Sequence, residues 1–339
     1  MDESKLFPPV PDFYCSERTE RIDQDDVLPS VIFSCTLPGF ADRGSRTPQN
    51  QRPNLEFVCR EPSCGALLPT EDKIVLDEEA EAPMDPNFFD DEYTLAGRTG
   101  FQVWTGTRIM IETLLWTPSV TTKATTSEED SWERLHYWHD RIREGANVIE
   151  LGAGVGVVGC SMAFVGARVL ITDLPTLVEN SVEPNLQRNR RTTIPSDGTH
   201  PTWLGSSSVP IGEGRAATTA INWKQPLVGQ LSPAQSEQID LIVASDCVFL
   251  VEMLMSLLNT VEVMFKRSSS RQPSLLLSFQ RRDSKDGDES KSFTTVNRVI
   301  SEVKAKNWSI ECLAWRTVVV GDDNSEVFVF EIRPNASAP

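Results

Sequence analysis

The chain has 339 residues, with 32 Lys and Arg against 49 Asp and Glu and a net charge of −17, giving a pI near 4.7. That sign opposes nonspecific binding to nucleic acid, which needs a basic footprint, and suits attraction of a basic protein segment. The apolar runs are too short for a membrane span, and no secretory leader is read at Met1 to Lys5. Seven cysteines with no C-x-x-C pair fit a reducing, cytoplasmic setting, with the nucleus left open, and no metal site.

Residues 1 to 93 read as an acidic, partly disordered extension with many prolines. Short strands are expected in it at Val31 to Cys35 and Leu55 to Cys59, and Asp72 to Glu92 is strongly acidic. Cys59 and Cys64 flank a turn but lack the second pair that a zinc site needs. From Thr99 onward strand and helix alternate, which implies an α/β domain, read as residues 94–339. A helix over Gly106 to Trp116 sets Ile109, Met110, Thr113 and Leu114 on one face, and Thr117 to Asp130 is polar and reads as a surface loop. Trp132 to Arg143 is a second helix, on which His136 and His139 are expected as a surface pair. Strands at Asn147 to Leu151 and Arg168 to Thr172 flank a helix over Val157 to Phe164, and a further helix runs from about Leu174 to Arg190. The segment 192–219 is rich in Ser, Gly, Pro and Thr and reads as an insertion. A short strand near Ala220 to Asn222 follows, then strands at Asp240 to Ala244 and Ser274 to Phe279. Helices are expected over Val251 to Phe265 and Phe293 to Lys306. Two extended segments, Ser309 to Trp315 and Glu326 to Arg333, turn near Gly321 to Asn324 and finish a parallel sheet with an antiparallel hairpin.

The strand ending at Leu151 runs straight into Gly152-Ala153-Gly154-Val155-Gly156 and then a helix. Glycine has no Cβ, so such a turn lets backbone approach a nucleotide-like ligand closely. Glu150 before the turn would repel a pyrophosphate and suits a cationic, hydroxyl-rich ligand such as S-adenosylmethionine. Gly154-Val155-Gly156-Val157-Val158-Gly159 also satisfies the G-x-G-x-x-G of dinucleotide sites. Counted from Gly152, the first glycine after the strand, the third glycine is missing. Asp173 lies about 20 residues past the turn, where a carboxylate can accept both ribose hydroxyls; as an N-cap it would be compatible with that role. Trp104 and Trp223 can each pack against adenine or serve the core. Asp246, in Ser245-Asp246-Cys247-Val248-Phe249, follows a strand directly, where side chains face the ligand crevice. There a carboxylate can orient an amine and Phe249 can wall its channel, or Asp246 can cap the helix beginning near Val251.

In this order the motifs resemble the seven-β-strand protein lysine methyltransferases of methyltransferase family 16, over roughly residues 94 to 333. The resemblance rests on Gly100 to Thr105 with Trp104, Glu150 to Gly156, Thr172-Asp173-Leu174-Pro175, Asn185 and Asn189, Asn222-Trp223, Ala244 to Phe249 and Phe328 to Arg333. It implies a Rossmann-like, seven-stranded class I methyltransferase sheet with a C-terminal antiparallel hairpin. It also implies S-adenosyl-L-methionine as cofactor and a lysine of another protein as acceptor; a monomer is expected. Trp104, Gly152, Ala153, Gly154, Asp173, Trp223 and Ser245 would contact cofactor, together with Glu150 at the turn. Asp246 and Phe249 would form the D-x-x-(Y/F) substrate motif, in which tyrosine is commoner. The N-terminal extension and the 192–219 segment depart from the family pattern and bear on the substrate. An arginine or small-molecule acceptor fits the same fold. A noncatalytic module holding a partner through its acidic region is a further reading. An NAD-dependent oxidoreductase would need a catalytic His or Lys constellation that the sequence lacks.

Overall fold

The computed structural model describes residues 14–19, 30–37, 54–60, 99–115, 126–191, 203–268, 272–281, 293–320 and 323–335. The acidic run from Asp72 to Glu92 and Cys64 lie outside them. Three N-terminal strands, β1 (Tyr14–Thr19), β2 (Ser30–Thr36) and β3 (Asn54–Arg60), form an antiparallel sheet. Helices α1 (Thr105–Leu115) and α2 (Thr126–Arg143) follow, then β4 (Asn147–Leu151), α3 (Val157–Phe164) and β5 (Arg168–Asp173). Next come α4 (Pro175–Leu177), a π turn over Val178–Val182, α5 (Glu183–Arg188), β6 (Val209–Ile211), β7 (Gly214–Ala220) and α6 (Pro233–Glu237). The chain closes with β8 (Leu241–Ser245), α7 (Val251–Arg267), β9 (Ser274–Gln280), α8 (Val296–Ala305), β10 (Trp308–Val320) and β11 (Asp323–Pro334).

The main sheet has the order β10-β11-β9-β8-β4-β5-β7-β6. The five central strands are parallel, and β11 and β6 run antiparallel to their neighbours. This is the expected α/β sheet with its C-terminal hairpin, widened by the short eighth strand β6. Side chains alternate across each strand. Val148, Val169, Ile171, Leu241 and Val243 therefore face a core shared with α1, α2 and α3. Ile149, Leu151, Leu170, Ile242 and Ala244 face a second core shared with α7 and α8. Leu275, Leu276 and Leu277 of β9 are all fully buried, each worth roughly 1.5–3 kcal/mol relative to exposure.

Several expectations need correcting. β2 and β3 fall where strands were expected, β1 was not expected, and Val31, Phe33, Cys35, Leu55, Phe57 and Cys59 join the first core. The stretch read as an insertion contains β6 and most of β7, and the strand expected at Ala220 to Asn222 lies earlier. Its residues, Gly-Arg-Ala-Ala-Thr-Thr-Ala, carry little hydrophobic signal. Small size is what the site requires, since a Cβ on Gly214 would lie 2.2 Å from the Ala167 carbonyl oxygen. The polar loop expected up to Asp130 ends earlier, because α2 already begins at Thr126. The helix expected from Leu174 to Arg190 is interrupted by the π turn just before Pro184, whose ring removes an N–H from the helical ladder. His139 is not on the surface: it is 5% exposed, with Nδ1 3.1 Å from the Leu114 carbonyl oxygen. No helix among the described residues is long and apolar enough to cross a membrane.

Candidate functional site

Four adjacent parallel strands end at one crevice. Gly152 to Gly154 follow β4, Asp173 and Leu174 end β5, Ile221 to Lys224 follow β7, and Ser245 to Cys247 and Phe249 end β8. Together with Thr99, Gly100, Gln102 and Trp104 they enclose a cavity of about 170 Å³. A crevice beyond the carboxyl ends of the strands is where open α/β sheets bind ligands.

The glycine turn is built by backbone conformation and by close approach. Gly152 and Gly154 adopt φ +69 and +57, which L side chains rarely tolerate. A Cβ on Gly152 would lie 3.0 Å from the Trp223 ring and from Cys247 Cβ, and one on Gly154 would lie 2.8 Å from the Gly100 carbonyl oxygen. Gly159 is needed for a different reason: a Cβ there would lie 2.4 Å from Glu150 Oε2. The glycine that completed the dinucleotide pattern thus makes room for a carboxylate.

Asp173 is 8% exposed and lines the cavity. Its Oδ2 accepts from Gly154 N at 2.6 Å and its Oδ1 from Leu174 N at 2.7 Å, which fixes the carboxylate while leaving lone pairs towards the cavity. Burial pushes its pKa up to about 6, against these two amides, which favour the anion. Trp223 and Trp104 are half-buried on the cavity wall, and Trp104 Nε1 donates to the Thr99 carbonyl at 2.9 Å.

Asp246 is 2% exposed with φ +53, a conformation that costs a non-glycine residue of order 1–3 kcal/mol and recurs at functional sites. Its Oδ2 accepts from Gly106 N at 3.3 Å and its Oδ1 from Gln280 N at 3.2 Å. The carboxylate therefore sits at the N-terminus of α1, where the helix dipole favours an anion. It does not cap α7, whose N-cap is Leu250 with no side-chain cap bond. Ser245 Oγ lies 3.1 Å from Thr107 Oγ1. Phe249 is buried on the same wall, and its carbonyl accepts from Thr294 N at 2.8 Å.

Glu150 is the one expected site residue that is not brought to the cavity. It alternates with Ile149 and Leu151 across β4, so it points under α3, 1% exposed, with Oε2 accepting from Gly159 N at 2.9 Å. Burial, and secondarily the Asp173 charge, push its pKa up to about 8 against that amide. Sequence reasoning missed Thr107, Leu177, Cys247, Glu252, Met253 and Ser256, all of which line the cavity. The last three occupy the first two turns of α7, one helical repeat after Phe249, and that spacing was the available signal. Burial pushes the Cys247 thiol well up, with the Asp173 and Asp246 charges acting in the same direction.

An α/β sheet with a nucleoside-sized crevice at its switch point defines a broad class of ligand-binding enzyme folds. Within it, a family model described as lysine methyltransferase matches residues 92–204 and 206–298, and the chain belongs to that family. Protein N-lysine methyltransferase METTL21A of Xenopus tropicalis is 33% identical over 145 residues, covering 43% of this chain and 54% of that protein. EEF1A lysine methyltransferase 3 of Mus musculus is 33% identical over 117 residues, covering 34% of this chain and 39% of that protein. The match thus spans about half or less of these relatives' own length. Among solved structures, magnesium protoporphyrin IX methyltransferase from Synechocystis PCC 6803 with bound SAH is 12% identical. The similarity covers 62% of this chain and 84% of that one, with a TM-score of 0.37.

Proposed function

We propose that this protein is an S-adenosylmethionine-dependent protein lysine N-methyltransferase. The observation that carries the reading is the convergence of a Cβ-free glycine turn, a fixed Asp173, two tryptophans and the Asp246–Phe249 pair on one cavity. The cavity residues fit the cofactor. Gly152 and Gly154 leave no Cβ over the turn, Asp173 presents free lone pairs for ribose hydroxyls, and Trp104 and Trp223 offer faces for adenine. Two buried carboxylates, Asp173 and Asp246, with exposed Glu252 and Lys224 as the other charged groups among the described lining residues, suit a positively charged sulfonium. When bound, S-adenosylmethionine supplies an electrophilic methyl group.

The chain's own task is to deliver a neutral amine along the line of attack. Asp246, held by the Gly106 and Gln280 amides, can accept a hydrogen bond from the substrate ε-amine and aim its lone pair. Phe249 walls the approach and excludes water. Ser245, through its hydroxyl pair with Thr107, ties the end of β8 to α1 at the cavity wall. We further propose a protein acceptor presenting a basic segment, suited to the net charge of −17, with the enzyme acting as a monomer in the cytoplasm or nucleus.

The test is incubation of purified protein with methyl-labelled S-adenosylmethionine and a cell extract, with Asp246→Ala alongside. A labelled protein band that is lost in the variant and yields methyl-lysine on hydrolysis is expected. Methyl-arginine, or label confined to small molecules, would move the acceptor class. Absence of both label and cofactor binding would leave a noncatalytic module.

A further inference from the structure

Among the described residues β3 is the last strand of its sheet, paired on one edge with β2 and with no strand on the other. Its other edge presents backbone groups at every second residue, and an open edge of that kind invites aggregation. Side chains from a helix take the place of a strand. Glu56 N donates to Asn189 Oδ1 at 2.9 Å, and Asn189 Nδ2 donates to the Glu56 carbonyl at 2.8 Å. Val58 N donates to Asn185 Oδ1 at 2.8 Å, and Asn185 Nδ2 donates to the Val58 carbonyl at 3.0 Å. Each primary amide reproduces the donor and acceptor of one peptide group. The spacings agree, since two strand residues span about 6.7 Å and four helical residues about 6 Å. The Arg191 guanidinium extends the series by donating to the Asn54 carbonyl.

The same edge continues into the cavity wall. Arg60 N donates to the Phe101 carbonyl at 2.8 Å, and the Arg60 guanidinium lies 4.4 Å from the centroid of the Phe101 ring. Phe101 sits between Gly100, whose carbonyl lies against Gly154, and Trp104. At the other end Asn185 Nδ2 also donates to the Val155 carbonyl, inside the glycine turn, at 3.2 Å. One strand edge therefore touches both sides of the crevice, the turn through Asn185 and the opposing wall through Arg60.

We infer that the β1–β3 sheet is a brace for the cofactor cavity, with Asn185, Asn189 and Arg60 as positioning residues that hold the Thr99 to Trp104 segment over the glycine turn. This rests on the reading of the cavity as an S-adenosylmethionine site. The test uses the full chain and S-adenosylhomocysteine, with Kd measured by calorimetry well below the melting temperature of every variant. Arg60→Ala should weaken binding about fivefold, the scale of a cation–π contact, and Arg60→Lys should restore most of it. Asn185→Ala should weaken binding about tenfold by stranding buried peptide groups. Glu331→Gln, remote from the cavity, should lower the melting temperature and leave Kd unchanged, which separates positioning from stability.

Arg60→Ala and Asn185→Ala proteins that melt earlier but keep the wild-type Kd would overturn the brace. If Asn185→Ala does not fold, the Arg60 pair decides. A wild-type chain that does not bind S-adenosylhomocysteine would instead sink the cofactor reading, and the brace with it.

Discussion

Glu150→Gln should make the protein more stable at neutral and mildly alkaline pH. The carboxyl is 1% exposed, Oε1 has no hydrogen-bond partner among the described residues, and its pKa rises from 4.5 to about 8, chiefly through burial. The folded state therefore binds this proton more tightly than the unfolded chain, and stability falls as pH rises from 4.5 towards about 8. At 1.36 kcal/mol per unit, the loss between about pH 5 and about pH 8 is of order 3 kcal/mol. Glutamine keeps an acceptor for Gly159 N and the shape of the neutral acid, so it should remove the pH dependence. The assay is urea unfolding followed by tryptophan fluorescence across that range. The variant should match wild type near pH 5 and exceed it by about 3 kcal/mol near pH 8. A gap that does not change with pH, or a variant less stable at the alkaline end, would refute the reasoning. It would mean that the Gly159 amide and the N-terminus of α3 hold Glu150 ionised against the cost of burial.

Gly154→Ala combines a φ of +57 with a Cβ 2.8 Å from the Gly100 carbonyl oxygen, so it should cost roughly 1–2 kcal/mol in stability. It should also weaken S-adenosylhomocysteine at least tenfold in calorimetry; an unchanged Kd would remove the turn from the binding site. Burial puts the Asp173 pKa at about 6, and in the proposed site the anion is the stronger acceptor for the ribose hydroxyls. Cofactor affinity should therefore fall about tenfold per pH unit below that value, and Asp173→Asn should bind weakly with a flat profile. Glu331, fully buried, accepts from Arg134 Nε and Trp138 Nε1, each at 2.9 Å, and from Ser274 Oγ at 2.8 Å. Glu331→Gln should cost about 3 kcal/mol at neutral pH. Burial alone would raise the Glu331 pKa, but the Arg134 hydrogen bond and its companions bring it below the ordinary value. Its contribution is thus present above the unfolded pKa and lost as pH falls through the folded one, so the gap between variant and wild type should close in acid.

The elements legible in the sequence were those whose burial is apolar and continuous. β5, β8 and β9 carry short runs of Val, Ile and Leu, β4 is apolar but for Glu150, and the glycine turn, Asp173 and Asp246 lie at or just past the ends of β4, β5 and β8. β7 escaped because its Gly, Ala and Thr residues carry little hydrophobic signal, with Gly214 packed against the Ala167 carbonyl. The orientation of Glu150 was legible from strand parity, which sets it on the face of Val148. The surroundings of Asp246 were less accessible, because Gly106 and Gln280 reach it from 140 and 34 residues away. His139 misled because a polar residue on an amphipathic helix reads as exposed unless its partner is known. The partner is the Leu114 carbonyl, on a neighbouring helix.

The Arg60–Phe101 rung has a consequence for how this chain can vary. It pins together the two ends of residues 61–98, so whatever length of chain connects them, the cavity wall meets the same strand edge. Insertions or deletions in that stretch should therefore be tolerated as long as Arg60 and the Gly100 to Trp104 segment keep their identities. The connection becomes a place where a lineage can add or shed sequence, and with it new contacts to an acceptor, without disturbing the wall that the rung holds in place.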